Sequence, residues 1–434
     1  MKSIFKKIIV WVLTLEARAV LWKYKPKIVA ITGSVGKTSA KDAIFSVISN
    51  EFFTRKSEKS FNSELGVPLT ILGCPNGWYN PIQWTQNILQ GVKLLVMKSR
   101  YPEWLILEVG ADRPGDIARI GRWLKPDVAV VTYVGAKIPA HVEFFKNPEE
   151  LFEEKKKLVY ALKPTGTLIL NHDDRIAFGF RRIFSGNIIS YGFNEHAAIR
   201  ALNDEFVYQK TPEAGVRGIG FKIEADGNVI PVMLQNILGR QHIYAALAGF
   251  AVGVLHGINP VKISQALQQY ETPPGRMRLV PGKKETLIID DTYNASPVAV
   301  EAALDAMLRI EASGRKIAVL GDMLELGQYS GDAHRTIGEK VGACVDILVT
   351  VGIRAKMIAH SAQEHGFKKR SIKSFTDLDE ACSWLSKNIK KGDLVLIKGS
   401  QGMRMERIVA LLLADSAEAS RLLVRQDAEW KKRV

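Results

Sequence analysis

The sequence predicts an α/β protein: a central domain of P-loop type on a mainly parallel sheet, then a C-terminal Rossmann-like α/β domain, with one basic helix in front. Three observations predict it. Short apolar runs alternate with stretches of helical period from residue 27 onward, the pattern of strand–helix–strand units. A glycine-rich turn, Gly33-Ser34-Val35-Gly36, joins the first apolar run to the first helical stretch. A Pro-Pro-Gly break at 273–275 interrupts the alternation, which then restarts. The expected division is 1–26, 27–272 and 273–434, and 434 residues at 47% hydrophobic can bury more than one core.

Residues 1–26 place Ile4, Ile8, Trp11, Val12, Leu15, Ala19 and Trp22 at helical spacing, with Lys2, Lys6, Lys7, Arg18, Lys23 and Lys25 around them. The apolar run Ile8–Leu13 is too short to span a bilayer. Glu16 and Arg18 interrupt it and no small-residue cleavage site follows, which separates it from a signal peptide. Two readings stand: an amphipathic helix packed on the body, or a helix on the inner membrane surface with its Trp residues at the interface.

The run from Lys27 to Thr32 reads as a buried strand and Ser39–Ile48 as a helix. Between them lie the parts of a phosphate cradle. Glycines let the backbone N–H groups of Gly33, Ser34, Val35 and Gly36 close around a polyphosphate, and the helix N-terminus at Ser39 adds positive potential. Lys37 reaches the outer phosphates and the Thr38 hydroxyl holds Mg²⁺. Only two residues separate the glycines, where the strict Walker pattern has four. An ordinary strand-to-helix turn is the alternative; Lys37-Thr38 favours nucleotide.

A polar loop, Lys59 to Pro68, comes next. Trp104–Gly110 and Asp127–Thr132 read as strands, and the loop after the second leads to His141. Ligands gather at the carboxyl ends of strands in open α/β sheets, so Glu108 and His141 can face the phosphate loop and hold a metal that bridges a triphosphate. Either alone reads equally as a helix cap or a satisfied loop histidine. Residues 148–163 form a helix whose Lys155-Lys156-Lys157 run reads by default as a solvated face. Strands return at Gly166–Asn171 and Ile188–Tyr191, a β-rich stretch runs to Leu238, and Gly239-Arg240-Gln241-His242 opens a helix over Ile243–Leu255.

In the C-terminal part, strands are expected at Thr286–Asp290, Lys316–Leu320, Ile347–Val351 and Leu394–Ile397. Their ends carry Asp290-Asp291-Thr292-Tyr293-Asn294, Gly321-Asp322-Met323-Leu324-Glu325 and Lys398-Gly399-Ser400, and three polar loops on one sheet mark a site better than any one alone. The tail after Asp415 reads as a charged, mobile helix. Cys74, Cys344 and Cys382 have no metal or redox spacing, which suits a reducing cytoplasm. Net charge is +15, and residues 1–60 hold 12 Lys/Arg against 4 Asp/Glu, a bias toward an anionic membrane or polyanionic substrate. No nucleic-acid module or basic-aromatic repeat is visible, so nucleic acid is not an expected partner.

Taken together, these stretches resemble the Mur ligases, ATP-dependent amide-forming enzymes of peptidoglycan precursor synthesis. The resemblance rests on Thr32–Thr38, whose short glycine spacing is that family's own, and on six motifs in family order. These are Phe61–Thr70, Glu108–Gly115, Pro139–Glu143, Asp290–Pro297, Gly321–Gly327 and Lys398–Ser400. They are most similar to the branch that adds D-alanyl-D-alanine to UDP-N-acetylmuramoyl-tripeptide. The resemblance implies ATP and Mg²⁺, with two ions, and a cytoplasmic monomer. Glu108 and His141 would join Thr38 as metal ligands, and Lys155 would be carbamylated, turning a cation into an anionic group for the second ion. Asn171 would lie near the nucleotide. Arg276 would reach the phosphates at the hinge, Asp291 would hold ribose, and Tyr293 and Asn294 would sit near adenine. Asn62, Ser63, Lys398 and Ser400 would bind the acceptor, dipeptide or acyl intermediate.

Two departures stand out. Gln241-His242 stands where many members have His-Asn or His-Gln, and Ala245 where they have Asn; either His242 supplies the base contact or the helix is shifted. Only 26 residues precede the phosphate-loop strand, where relatives carry a domain that grips UDP, so that domain is expected to be missing. The competing readings are a sister ligase lacking that domain, such as folylpolyglutamate synthase or an amidotransferase-linked cell-wall ligase, a ligase on a different or lipid-linked acceptor, and a nucleotide-binding switch or scaffold that has lost ligation.

Overall fold

The computed structural model describes all residues except 1–2, 59–60, 136–137, 140, 210–214, 428–429 and 431–434. Lys2, Lys59, Ser60 and Ala140, quoted above, lie outside the described residues. The chain opens with helix α1 (Ser3–Tyr24) and strand β1 (Lys27–Thr32), then α2 (Lys37–Ile48), β2 (Thr54–Lys56), α3 (Gly66–Leu72), α4 (Pro81–Val96) and β3 (Trp104–Glu108). It continues through α5 (Asp116–Leu124), β4 (Val128–Val131), α6 (Pro148–Ala161), β5 (Thr167–Asn171), α7 (Arg175–Gly179) and β6 (Asn187–Gly192). An antiparallel run β7 (Ile199–Tyr208), β8 (Val216–Ala225) and β9 (Asn228–Gln235) precedes α8 (Arg240–Leu255) and α9 (Pro260–Gln268).

These nine strands form one sheet in the order β2-β3-β1-β4-β5-β6-β7-β8-β9, parallel from β2 to β7. Apolar residues buried on both faces are what a parallel sheet between helix layers demands. In β1 the alternation is visible: Val29 and Ile31 join the core under α2 and α8, Ile28 and Ala30 the core under α1, α3 and α5. Gly249 lets α8 lie close on α2; a Cβ there would sit 3.1 Å from the Ala43 carbonyl.

The second sheet takes β10 (Arg278–Pro281), β11 (Leu287–Asp291), β12 (Lys316–Gly321), β13 (Ile347–Val351), β14 (Ile372–Phe375) and β15 (Leu394–Lys398). Its order is β10-β11-β15-β12-β13-β14, with only β10 antiparallel. Helices α10 (Pro297–Arg309), α11 (Ser330–Val341), α12 (Lys356–Glu364), α13 (Leu378–Asn388), α14 (Glu406–Leu412) and α15 (Ala419–Leu422) cover it. The α/β class with mainly parallel sheets is as the sequence predicts.

The tail corrects its expectation. Beyond Asp415 the described residues form turns and the single-turn helix α15, and they are pinned rather than mobile. Leu422 and Leu423 are buried, and Arg425 is buried against Glu406 (3.0 Å) while donating to the carbonyls of Thr292 (3.1 Å) and Tyr293 (2.5 Å). A buried guanidinium that satisfies a carboxylate and two carbonyls anchors a segment that charge content alone suggested was free.

Candidate active site

A cavity of about 940 Å³ opens at the carboxyl ends of β1, β3 and β4, and the second sheet closes its other side. The phosphate loop forms its floor. Gly33 has φ +151° and a Cβ there would fall 2.0 Å from Thr132 Oγ1; Gly36, at φ +88°, begins α2 in the left-handed region. Thr132 fixes the loop, donating to the Val35 carbonyl at 2.7 Å. Lys37 Nζ folds back to the Gly33 carbonyl (3.0 Å), and burial holds its pKa below the ordinary lysine value.

Around this floor the side chains converge. Thr38 Oγ1 donates to Glu108 Oε2 (2.9 Å), and both are buried. Arg276 reaches in from the chain before β10, donating from Nη2 to Thr38 Oγ1 (3.1 Å) with its guanidinium 4.1 Å over the Tyr293 ring. Its Nε is buried without a hydrogen-bond partner among the described residues. Asn62 Nδ2 donates to Glu108 Oε1 at 3.3 Å. Lys155 is buried on α6 just behind the lining, and burial first, then Lys37, lower its pKa to about 7. Its neighbours in the run turn outward, Lys156 to Glu153 and Lys157 to Glu154 (2.7 Å), so only Lys155 faces in.

Buried cations crowd a cavity that supplies Glu108 and Asp112 as nearby carboxylates. An orphaned guanidinium nitrogen and a lysine turned onto its own loop fit a polyphosphate ligand. The Thr38 hydroxyl and Glu108 carboxylate are hard oxygen donors of the kind Mg²⁺ takes beside phosphate. Among the described residues no group of three His, Cys, Asp or Glu side chains converges as a metal cluster.

Other sequence-named residues fall into three groups. Ser34, Val35, Ser39, Asn171, Tyr293 and Asn294 line the cavity. Asp291 and Lys398 also line it, but against each other, with Nζ 2.5 Å from Oδ2. His141 lines it in the left-handed region (φ +66°), with Nδ1 2.6 Å from Glu325 Oε2 in the loop after β12. Ser63 and Ser400 lie outside the lining. Ser63 Oγ accepts from the Gly66 N–H at the start of α3, and the buried Ser400 Oγ accepts from the Leu324 N–H.

His242 also lines the cavity, beside Tyr244 and Ala245. It is buried with its pKa lowered to about 3, so the ring is neutral. Nε2 lies 3.1 Å from the Arg276 carbonyl and Nδ1 3.3 Å from the Tyr270 hydroxyl. A carbonyl only accepts, so Nε2 carries the proton and Nδ1 accepts from Tyr270. Both nitrogens are engaged, and the ring props the hinge that carries Arg276.

Sequence reasoning gave no separate role to Glu325, Asp112 or Arg425. Glu325 and Asp112 stood inside quoted motifs; nothing local marked Arg425.

A phosphate loop on one sheet, facing a second sheet across a cation-lined cleft, defines a nucleotide-using α/β enzyme of two domains. The Mur ligase middle domain matches residues 31–253, and the Mur ligase, glutamate ligase domain matches residues 275–401. The chain belongs to the Mur ligases, which makes it an ATP-dependent amide ligase. The UDP-N-acetylmuramoyl-tripeptide--D-alanyl-D-alanine ligase of Bacillus subtilis (strain 168) is 29% identical over 398 residues, covering 92% of this chain and 78% of that protein. The MurF ligase of Thermotoga maritima in complex with ADP superposes with a TM-score of 0.76 at 27% identity, covering 95% of this chain and 84% of that one. Folylpolyglutamate synthase from Thermotoga maritima, at 14% identity and a TM-score of 0.59, shares the fold alone.

Proposed function

We propose that this protein joins D-alanyl-D-alanine to a UDP-N-acetylmuramoyl-tripeptide, using ATP and releasing ADP and phosphate, as a monomer on the cytoplasmic side. The observation that carries the ligase chemistry is the meeting of Thr38 and Glu108 with Arg276 across the cleft. The choice of substrates is supported by the Bacillus subtilis relative, whose name states that reaction and which covers 92% of this chain.

In the first step an oxygen of the tripeptide carboxylate attacks the γ-phosphorus, the β–γ bridging P–O bond breaks, and ADP leaves from an acyl phosphate. In the second the dipeptide amine attacks the acyl carbon, the C–O bond to phosphate breaks, and the amine gives up a proton. Little covalent work falls to the protein; its task is positioning and charge neutralisation. Lys37 leaves the Gly33 carbonyl for the outer phosphates, the N–H groups of residues 33–39 cradle them, and Arg276 turns its unpaired Nε toward them. Thr38 and Glu108 would hold Mg²⁺, which would supply positive charge against the phosphates when bound. His141 would join them as a ligand, and a carbamylated Lys155 would serve a second ion. Asn62 and Lys398 face the acceptor side, and the second sheet closes water out.

The test is direct. Incubation with ATP, Mg²⁺, D-alanyl-D-alanine and UDP-muramoyl-tripeptide should yield the pentapeptide by mass spectrometry, and Lys37→Ala should abolish it. ATP binding without amine-dependent ADP formation would overturn the reading, as would full activity in Lys37→Ala.

A further inference from the structure

Helix α1 has two apolar faces. One is spent on the fold: Ile9, Leu13, Ala17 and Val20 are buried where α1 packs on α3 and α4. The opposite ridge carries Ile8, Trp11, Leu15, Arg18 and Trp22 at steps of three and four, and it points outward, with Trp11 64% and Trp22 81% exposed. A helix that is apolar on both sides is expected to be covered on both.

Helix α4 repeats the pattern beside it. Glu16 lies against Gly91, and Lys23 Nζ donates to the carbonyls of Leu94 (2.8 Å), Leu95 (3.0 Å) and Met97 (2.8 Å), so the two helices run side by side in one direction. The outer ridge of α4 is Ile82, Leu89, Val92 and Val96, the last 78% exposed, and Trp78 and Tyr79 stand exposed just before it. These two helices and that turn hold 10 of the 20 large exposed hydrophobic side chains of the described residues, which makes the surface a patch rather than scatter.

The exposed charge on these two segments has one sign. Residues 1–26 and 78–101 contain nine Lys or Arg and a single acid, Glu16, which is buried. Among the described ones, Lys6, Lys7, Arg18, Lys25, Lys93 and Lys98 are exposed. No helix of the described residues is long and apolar enough to cross a membrane.

We propose that the outer ridges of α1 and α4 form one docking surface for an anionic phospholipid bilayer. Aliphatic and Trp side chains enter the headgroup–acyl boundary and the basic rim pairs with anionic headgroups. Two helices that run side by side in one direction present their outer ridges together, and the exposed charge that both carry is basic, which matches a lipid surface of negative charge. The proposal does not depend on which substrates the enzyme takes.

The test uses the full chain and vesicles of phosphatidylcholine with or without phosphatidylglycerol. The protein should sediment with phosphatidylglycerol vesicles at low salt and be released as salt rises. The variant Trp11→Ser/Trp22→Ser/Val96→Ser should bind at least about tenfold more weakly. These positions are exposed, so circular dichroism and ATP affinity should match the parent; Lys7→Glu/Lys93→Glu is a second variant, expected to lose binding with the ridge intact. No binding by the parent at low salt overturns the proposal, and so does undiminished binding by both variants. Concentration-dependent dimerisation that the triple variant abolishes, without vesicle binding, would assign the face to a second copy of this chain instead.

Discussion

Lys155→Arg separates a reactive lysine from a merely buried cation. Burial, reinforced by the charge of Lys37, brings the amine from 10.5 to about 7, against the pull of Glu154 and Asp112. At about pH 7.5 such an amine is roughly three-quarters neutral, where an ordinary lysine is neutral about once in a thousand molecules. Only the neutral amine attacks CO₂, so the reactive pool is enriched several hundredfold at this one lysine. The sign follows: lowering pH through about 7 protonates the amine and withdraws it. Arginine keeps the charge and cannot form the carbamate. With ¹³C-bicarbonate the parent should show a carbamate resonance that grows between pH 6 and 8, and Lys155→Arg should show none. Ligation should fall roughly 100-fold in the variant, the upper range for groups that support a metal. A parent without the resonance at pH 8, or a variant with full ligation, would refute the reasoning.

Glu16→Gln tests the buried acid between α1 and α4. Its carboxyl is raised from 4.5 to about 7 by burial, so the folded state holds a proton that the unfolded state releases between those values, and stability drains as pH rises through that window. Removing the ionisation should stabilise by about 1 kcal/mol at pH 5 and up to about 3 kcal/mol at pH 8 in urea unfolding; equal gains at both would contradict the burial account. Glu325→Ala removes the partner of His141 and should raise the Mg²⁺ concentration for half-activity by roughly 10–100-fold, with thermal stability within about 0.5 kcal/mol of the parent. Arg276→Lys keeps a cation but loses the fork and the stacking on Tyr293, so ATP affinity should fall about tenfold in a fluorescent-nucleotide titration.

Much of the site was legible because its signals are local. Strand, glycine turn and Lys37-Thr38 are contiguous, and Glu108 ends an apolar run whose strand type fixes which way it faces. The pairing of His141 with Glu325 was not legible, because it depends on how one sheet meets the other. Nor were the contacts of Ser63 and Ser400 legible: each hydroxyl accepts from a backbone N–H, and a small hydroxyl in a polar loop can serve a backbone N–H as readily as a ligand. His242 was read by its place in a motif, yet burial between Tyr270 and the hinge carbonyl decided its chemistry. The tail was read by its charge, and one arginine that satisfies three oxygens reversed the expectation. The outer ridge of α4 carries the same period as a core face, so sequence alone could not say that it points to solvent.

The Thr38 hydroxyl ties these parts into one device. It has one proton and two lone pairs. The proton goes to Glu108 and one lone pair takes Arg276, so a single acceptor position remains for a cation. Phosphate loop, strand-end acid and hinge therefore meet on one oxygen. Because Arg276 stacks on Tyr293, which Arg425 holds from the tail, the position of the second sheet is felt at that oxygen. A polyphosphate that draws Arg276 to itself frees a lone pair of Thr38 and pulls the hinge in the same movement, while Thr38 and Asn62 still hold Glu108. Nucleotide binding and the hinge are thereby linked through one contact across the cleft, that of Arg276 with Thr38.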